Sequence, residues 1–197
     1  HFFHGPDGNA VGRDMEVGEP KGVQWNAGPR WNRHHGQLAG VSGMVSSNGR
    51  VFSVLDEGPT IHAYAPAEWF LVARDAFSGV ELWRKDIPSW HTQFRGFRTG
   101  PAHLTRCLVA DGDRLFATLT YRGPVSILHA ASGEVLRTLE ATQGAQELVF
   151  HDGTLYVVTG EDPGIEGKGP WTRSVANRTS LVAVDPDVHA RLVELHV

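Results

Sequence analysis

Cysteine is almost missing: one residue, Cys107, stands in a chain of 197. A lone thiol excludes an internal disulfide framework and any multi-cysteine zinc or iron–sulfur site, so Cys107 is read as a small apolar strand residue. Long hydrophobic runs are missing too. No segment approaches the roughly 20 apolar residues of a membrane span, and no basic stretch leads into the short apolar core of a signal peptide. Charge is sparse and mixed: 18 Lys and Arg residues are scattered among 22 Asp and Glu, for a formal net charge of -4. Without a basic cluster there is no electrostatic footprint for nucleic acid or an anionic membrane surface, and neither is expected as a partner. The chain opens at His1 and closes in the strand-like "ARLVELHV", so the expectation is a piece of a longer protein whose cellular address lies elsewhere.

What is present is repetition. "MVSSNGRVFSVL" from Met44, "CLVADGDRLFATL" from Cys107 and "LVFHDGTLYVVT" from Leu148 share one design. Apolar residues enter a short Asn/Asp/Gly turn and alternating Val, Leu, Phe and Tyr leave it, the pattern of a tight β-hairpin. A second hairpin follows each: "FLVARDAFSGVELWRK", "VSILHAASGEVLRTL" and "SLVAVDPDVHARLVEL". Their turn positions Asp75, His129 and Asp185 lie 54 and 56 residues apart. In "DAFSG" the Asp75 carboxylate can accept backbone N–H bonds two residues on, and Gly79 can take the positive φ that closes the loop; Gly133 does the same after His129. The third copy has neither the Ser nor the Gly, offering Val188 and His189 instead.

Four short strands recurring every 40 to 60 residues read as propeller blades. The predicted fold is all-β: a partial β-propeller of about three four-stranded antiparallel blades at about 43–87, 106–140 and 146–197. An ordinary β-sandwich is the competing arrangement. Residues 1–42, rich in Gly, Pro, His and Asn, are expected to be an irregular lead-in with one short strand at Val23 to Trp25. In a complete ring that strand could join the blade formed by the C-terminal end. The long connections from Asp56 to Ala67, Pro88 to Thr105 and Glu161 to Asn177 are the natural places for function.

"ARDAFSGVELW" resembles the tryptophan-docking motif of the pyrroloquinoline-quinone-like propellers, the quinoprotein alcohol dehydrogenase-like superfamily. The match falls on Ala73, Asp75, Ser78, Gly79 and Trp83; the second copy keeps Ser132 and Gly133 with Arg137 at the tryptophan position, and the third keeps Ala183 and Asp185. The resemblance implies that Trp83 stacks between blades as a structural residue. The lead-in "GPDGNAVGRD" and "VQWNAGPRWNRHH" is similar to the N-terminal part of large propeller proteins of planctomycete bacteria, which implies an exported, periplasmic setting. In members that are enzymes, a quinone sits over a calcium ion and an aspartate takes the substrate proton. No calcium-binding constellation or vicinal cysteine pair can be assigned here, so pyrroloquinoline quinone with calcium belongs only to an alternative reading, that of a quinoprotein dehydrogenase.

No catalytic residue and no metal set emerge. "HExxH" is missing, "GIEGKG" at Gly164 to Gly169 lacks the Lys-Ser/Thr ending and following helix of a phosphate loop, and no Gly-x-Ser-x-Gly elbow occurs. The best ligand-binding cluster is "PRWNRHH": Arg30, Trp31, Arg33, His34 and His35 combine an aromatic platform, two guanidinium forks and two imidazoles in one loop. The expectation is a non-catalytic binding or assembly scaffold whose partner, a protein or a small ligand, sits on the propeller face.

Overall fold

The computed structural model describes residues 16, 18–19, 21–28, 41–59, 68–88, 106–160, 179–187 and 191–196. Among the described residues twelve strands form three separate four-stranded sheets, every neighbouring pair antiparallel and consecutive in the chain. The first blade holds β1 (Val41–Ser47), β2 (Arg50–Asp56), β3 (Trp69–Asp75) and β4 (Glu81–Asp86). The second holds β5 (Leu108–Asp111), β6 (Arg114–Thr118), β7 (Val125–His129) and β8 (Val135–Leu139). After a 3-10 turn at Glu140–Thr142, the third holds β9 (Ala145–His151), β10 (Thr154–Gly160), β11 (Thr179–Val184) and β12 (Arg191–His196). Cys107 lies one position before β5, buried rather than in a strand.

Local chemistry fixes the register. Asn48 and Gly49 both take positive φ between Ser47 and Arg50, as do Asp152 and Gly153 between His151 and Thr154. Two left-handed residues in a two-residue loop match the twist of the flanking strands, so these Asn-Gly and Asp-Gly pairs close tight hairpins. From those turns the alternation runs outward, placing every second side chain on one face.

The core lies between the sheets, in two layers. Val45, Phe52, Val54, Leu71 and Ala73 of the first blade pack with Leu108, Leu115, Ala117 and Leu128 of the second. The opposite face of the second blade, with Val109, Phe116, Val125 and Ile127, packs with Leu148, Leu155, Val157, Val182 and Val184 of the third. A two-sheet sandwich leaves one face of each sheet outward; here the middle sheet is covered on both. The first strands lie together, β1 against β5 and β5 against β9. The architecture is a partial β-propeller of three blades.

One expectation is corrected. Residues 21–28 pair with no strand, so the short strand expected at Val23 to Trp25 does not form. Val23 is 87% exposed. Trp25 reaches the turn of the first blade.

Candidate functional site: the docking turns between blades

The turn joining the third and fourth strands of each blade receives a side chain from outside that blade. In the first blade, the Gly79 N–H donates to the Asp75 carbonyl at 2.9 Å and the Asp75 N–H to the Val80 carbonyl at 2.9 Å. In the second, Gly133 donates to the His129 carbonyl at 2.8 Å and His129 to the Glu134 carbonyl at 2.8 Å. The two backbones are the same although their first side chains differ. Asp75 Oδ1 accepts from the Phe77 N–H (3.1 Å), the Ser78 N–H (2.7 Å) and the Ser78 hydroxyl (2.8 Å). The Ser78 N–H, foremost, and its hydroxyl hold the Asp75 carboxyl below the usual carboxylate range. His129 instead places Nδ1 3.0 Å from Ser132 Oγ.

Gly79 and Gly133 have φ of 74° and 72°, and each lies beneath an indole. A Cβ on Gly133 would stand 2.7 Å from Trp83 Cδ2 and Cε3; one on Gly79 would stand 2.6 Å from Trp25 Cδ2. These glycines are therefore required twice, by the backbone angle and by the close approach of the ring. Trp83 Nε1 donates to the Ala130 carbonyl at 2.9 Å, and Trp25 Nε1 donates to the Ala76 carbonyl at 2.9 Å. Arg137, at the register position of Trp83, donates to the Pro186 carbonyl at 2.7 Å. Ala76, Ala130 and Pro186 each follow the first turn residue, so one main-chain acceptor serves an indole, an indole and a guanidinium.

Ion pairs cross the same rim. Arg50 reaches Asp113 of the next blade at 3.1 Å, and Arg114 reaches Asp187 of the next at 3.0 Å while also meeting Asp111 at 3.1 Å. The Arg114 guanidinium lies over the rings of Phe116 and Phe150, 5.7 Å and 5.3 Å from their centroids. On the first blade, Arg84 bonds both Glu81 and Glu57 at 2.7 Å, and Arg84 in turn draws the Glu81 carboxyl below its ordinary range.

Placed on this frame, the residues singled out from sequence divide. Ala73 and Trp83 are cross-strand partners, Asp75, Ser78 and Gly79 form the first turn, and Ser132 and Gly133 form the second. Ala183 lies in β11, and Asp185 opens the third turn by accepting the Asp187 N–H at 2.8 Å. Arg30, Trp31, Arg33, His34 and His35 lie outside the described residues, as does "GIEGKG". Sequence reasoning missed the docking role of Trp25 and, having placed Arg137 at the tryptophan position, missed its bond to the Pro186 carbonyl. Among the described residues no group of three His, Cys, Asp or Glu is placed to hold a metal, and no helix is long and apolar enough to cross a membrane.

With this geometry in hand, the chain can be set beside known proteins. No family model matches it, and no curated protein does. Among solved structures, the quinohemoprotein alcohol dehydrogenase of Comamonas testosteroni aligns with 15% identity and a TM-score of 0.43, over 78% of this chain and 20% of its own. An acylaminoacyl peptidase of Pyrococcus horikoshii aligns with 10% identity and a TM-score of 0.49, over 84% of this chain and 26% of its own. The chain thus spans about a quarter or less of either. The fold rests on the sheets themselves.

Proposed function

We propose that these blades form a non-catalytic binding or assembly module within a larger propeller. The observation that supports it is the face the third blade turns away from the second. By strand register, Val45, Phe52 and Ala73 of the first blade correspond to Val109, Phe116 and Ile127 of the second and to Val149, Tyr156 and Ala183 of the third. Phe52 and Phe116 are each 0% exposed because another blade covers them, whereas Tyr156 is 37% exposed. A face with Val149, Tyr156, Val158, Leu181 and Ala183 in the position that elsewhere buries a sheet is built to receive one.

The test uses the full-length protein. Tyr156→Arg should weaken its association with whatever covers this face, read by sedimentation velocity, without loss of the β-sheet circular dichroism. In parallel, titration with pyrroloquinoline quinone, with and without calcium, should release no heat. Calcium-dependent binding at micromolar concentration would overturn the non-catalytic reading in favour of a quinoprotein dehydrogenase.

A further inference from the structure

The outer edges of the blades carry a repeated irregularity. Since β1, β5 and β9 lie together, β4, β8 and β12 end their sheets on the far side. Each of these three strands holds one residue more than its partner, at the same place. Ala73 and Arg74 pair with Trp83 and Glu81, Ile127 and Leu128 with Arg137 and Val135, and Ala183 and Val184 with Val193 and Arg191. The residues left over are Leu82, Leu136 and Leu192. Aligned on that position, "GVELWRK", "GEVLRTL" and "HARLVEL" have no other letter common to all three. Core packing does not account for the repetition, because Leu82 and Leu136 are 44% and 55% exposed. A bulge does: its extra residue leaves the extended angles, which a side chain unbranched at Cβ accepts more readily than Val or Ile.

We propose that this bulge is a device that stops the outer edge of each blade from accepting a strand of another polypeptide, and that the second blade depends on it most. An edge strand presents a row of N–H and carbonyl groups on which a foreign strand can pair, and a bulge breaks that row and bends the strand. Charge is the other common protection, and the blades differ in it. β4 has four charged residues in six: Glu81, Arg84, Lys85 and Asp86. β8, "VLRTL", has Arg137 alone, and that guanidinium is engaged with the Pro186 carbonyl. Nor does β8 hold a proline, and its Val135 and Leu136 are 39% and 55% exposed. An apolar, nearly uncharged edge of this kind is a template for strand addition unless its ladder is interrupted. The edge acts independently of the outward face of the third blade, so the binding-module reading is not needed for it.

The test deletes Leu136 from the full-length protein. Val135 keeps Leu128 as its partner and Arg137 keeps Ile127, so the deletion regularises the ladder without turning any side chain to the other face. Sedimentation velocity should show about a tenfold or greater rise in self-association, with the β-sheet circular dichroism retained. Amide exchange across residues 135–139 should slow in the associated form, as strand pairing requires. Leu136→Ala keeps the extra residue and should sediment as the native chain does, and deletion of Leu82 from the charged β4 should give a smaller rise. Tyr156→Arg, which acts on the face of the third blade, should leave the rise in place. A folded Leu136 deletion that sediments like the native chain, a rise without slower exchange at 135–139, a rise that Tyr156→Arg abolishes, or equal association by Leu136→Ala would overturn the proposal. Should the deletion fail to fold, the same deletion at Leu192 takes its place. If neither folds, the bulge is a requirement of the sheet itself and the proposal is overturned.

Discussion

Gly133→Ala separates the cost of a backbone angle from the cost of losing a docked ring. At φ of 72° the new Cβ meets its own backbone, a penalty of about 1 to 2 kcal/mol. It also stands 2.7 Å from two atoms of the Trp83 ring, so the indole must leave. Departure gives up the bond to the Ala130 carbonyl, about 1 kcal/mol net. It also exposes on the order of 100 Å² of a half-buried indole, about 2.5 kcal/mol at 25 cal/mol per Å². The total is about 5 kcal/mol, an upper value because the ring can tilt within the interface. Gly49 is the control: its φ is 70°, but a Cβ there meets nothing within 4 Å. Gly49→Ala should cost only the backbone part, so the two variants should differ by up to about 3.5 kcal/mol. Urea unfolding followed by circular dichroism and tryptophan emission measures both. The double variant Gly133→Ala with Trp83→Ala should cost less than the sum of its parts by about 2 kcal/mol, since the methyl then occupies vacated space. Equal costs for Gly133→Ala and Gly49→Ala, or strict additivity in the double variant, would refute the docking argument.

Three further outcomes follow from the same contacts. Arg137→Met leaves the Pro186 carbonyl without its guanidinium donor and should destabilise the chain by about 1 kcal/mol, a figure reduced for partial exposure, with loss read as a lower urea midpoint. Asp75→Asn tests a pH effect. Because the folded Asp75 carboxyl titrates below its unfolded value, its stabilisation is present above about pH 4 and fades as pH falls through the folded pKa. The advantage of the native chain over Asp75→Asn in thermal melts should therefore shrink towards pH 3 and below; a pH-independent difference would be wrong for this geometry. Burial pushes the Cys107 thiol up to about 12, so it should stay unreactive to a disulfide reagent at pH 8 in the native chain and react once urea unfolds it.

Most of the fold was legible because β-hairpins write themselves locally. Asn48-Gly49 and Asp152-Gly153 mark turns, and period-two alternation on either side assigns faces, so three blades follow from contiguous stretches. The faces also carry over: Phe52, Phe116 and Tyr156 occupy one register position, and the repeat alone aligns them. Trp25 was not legible. Its partner, the carbonyl of Ala76, is a main-chain group 51 positions away that any residue would supply, and Gly and Pro around Trp25 give no periodicity. The expectation of a strand there took the short piece "GVQW" as evidence of pairing, whereas the side chains of Gln24 and Trp25 do the anchoring. Arg137 was seen as a departure from the motif. Its guanidinium meeting the Pro186 carbonyl needs the third dimension, because nothing in "VLRTL" announces a partner 49 residues on.

That the acceptor in all three slots is a carbonyl of the main chain has a consequence for how such chains age. Mutation cannot remove a peptide oxygen, and the residue bearing it is Ala at 76, Ala at 130 and Pro at 186 without harm to the contact. Any donor of sufficient reach can take over the other half, as arginine does in the third slot. The letters of the motif can thus be exchanged one at a time while the joint they once encoded persists. A lineage built this way drifts out of reach of pattern matching long before its blades come apart, and blades counted by tryptophans alone will be undercounted.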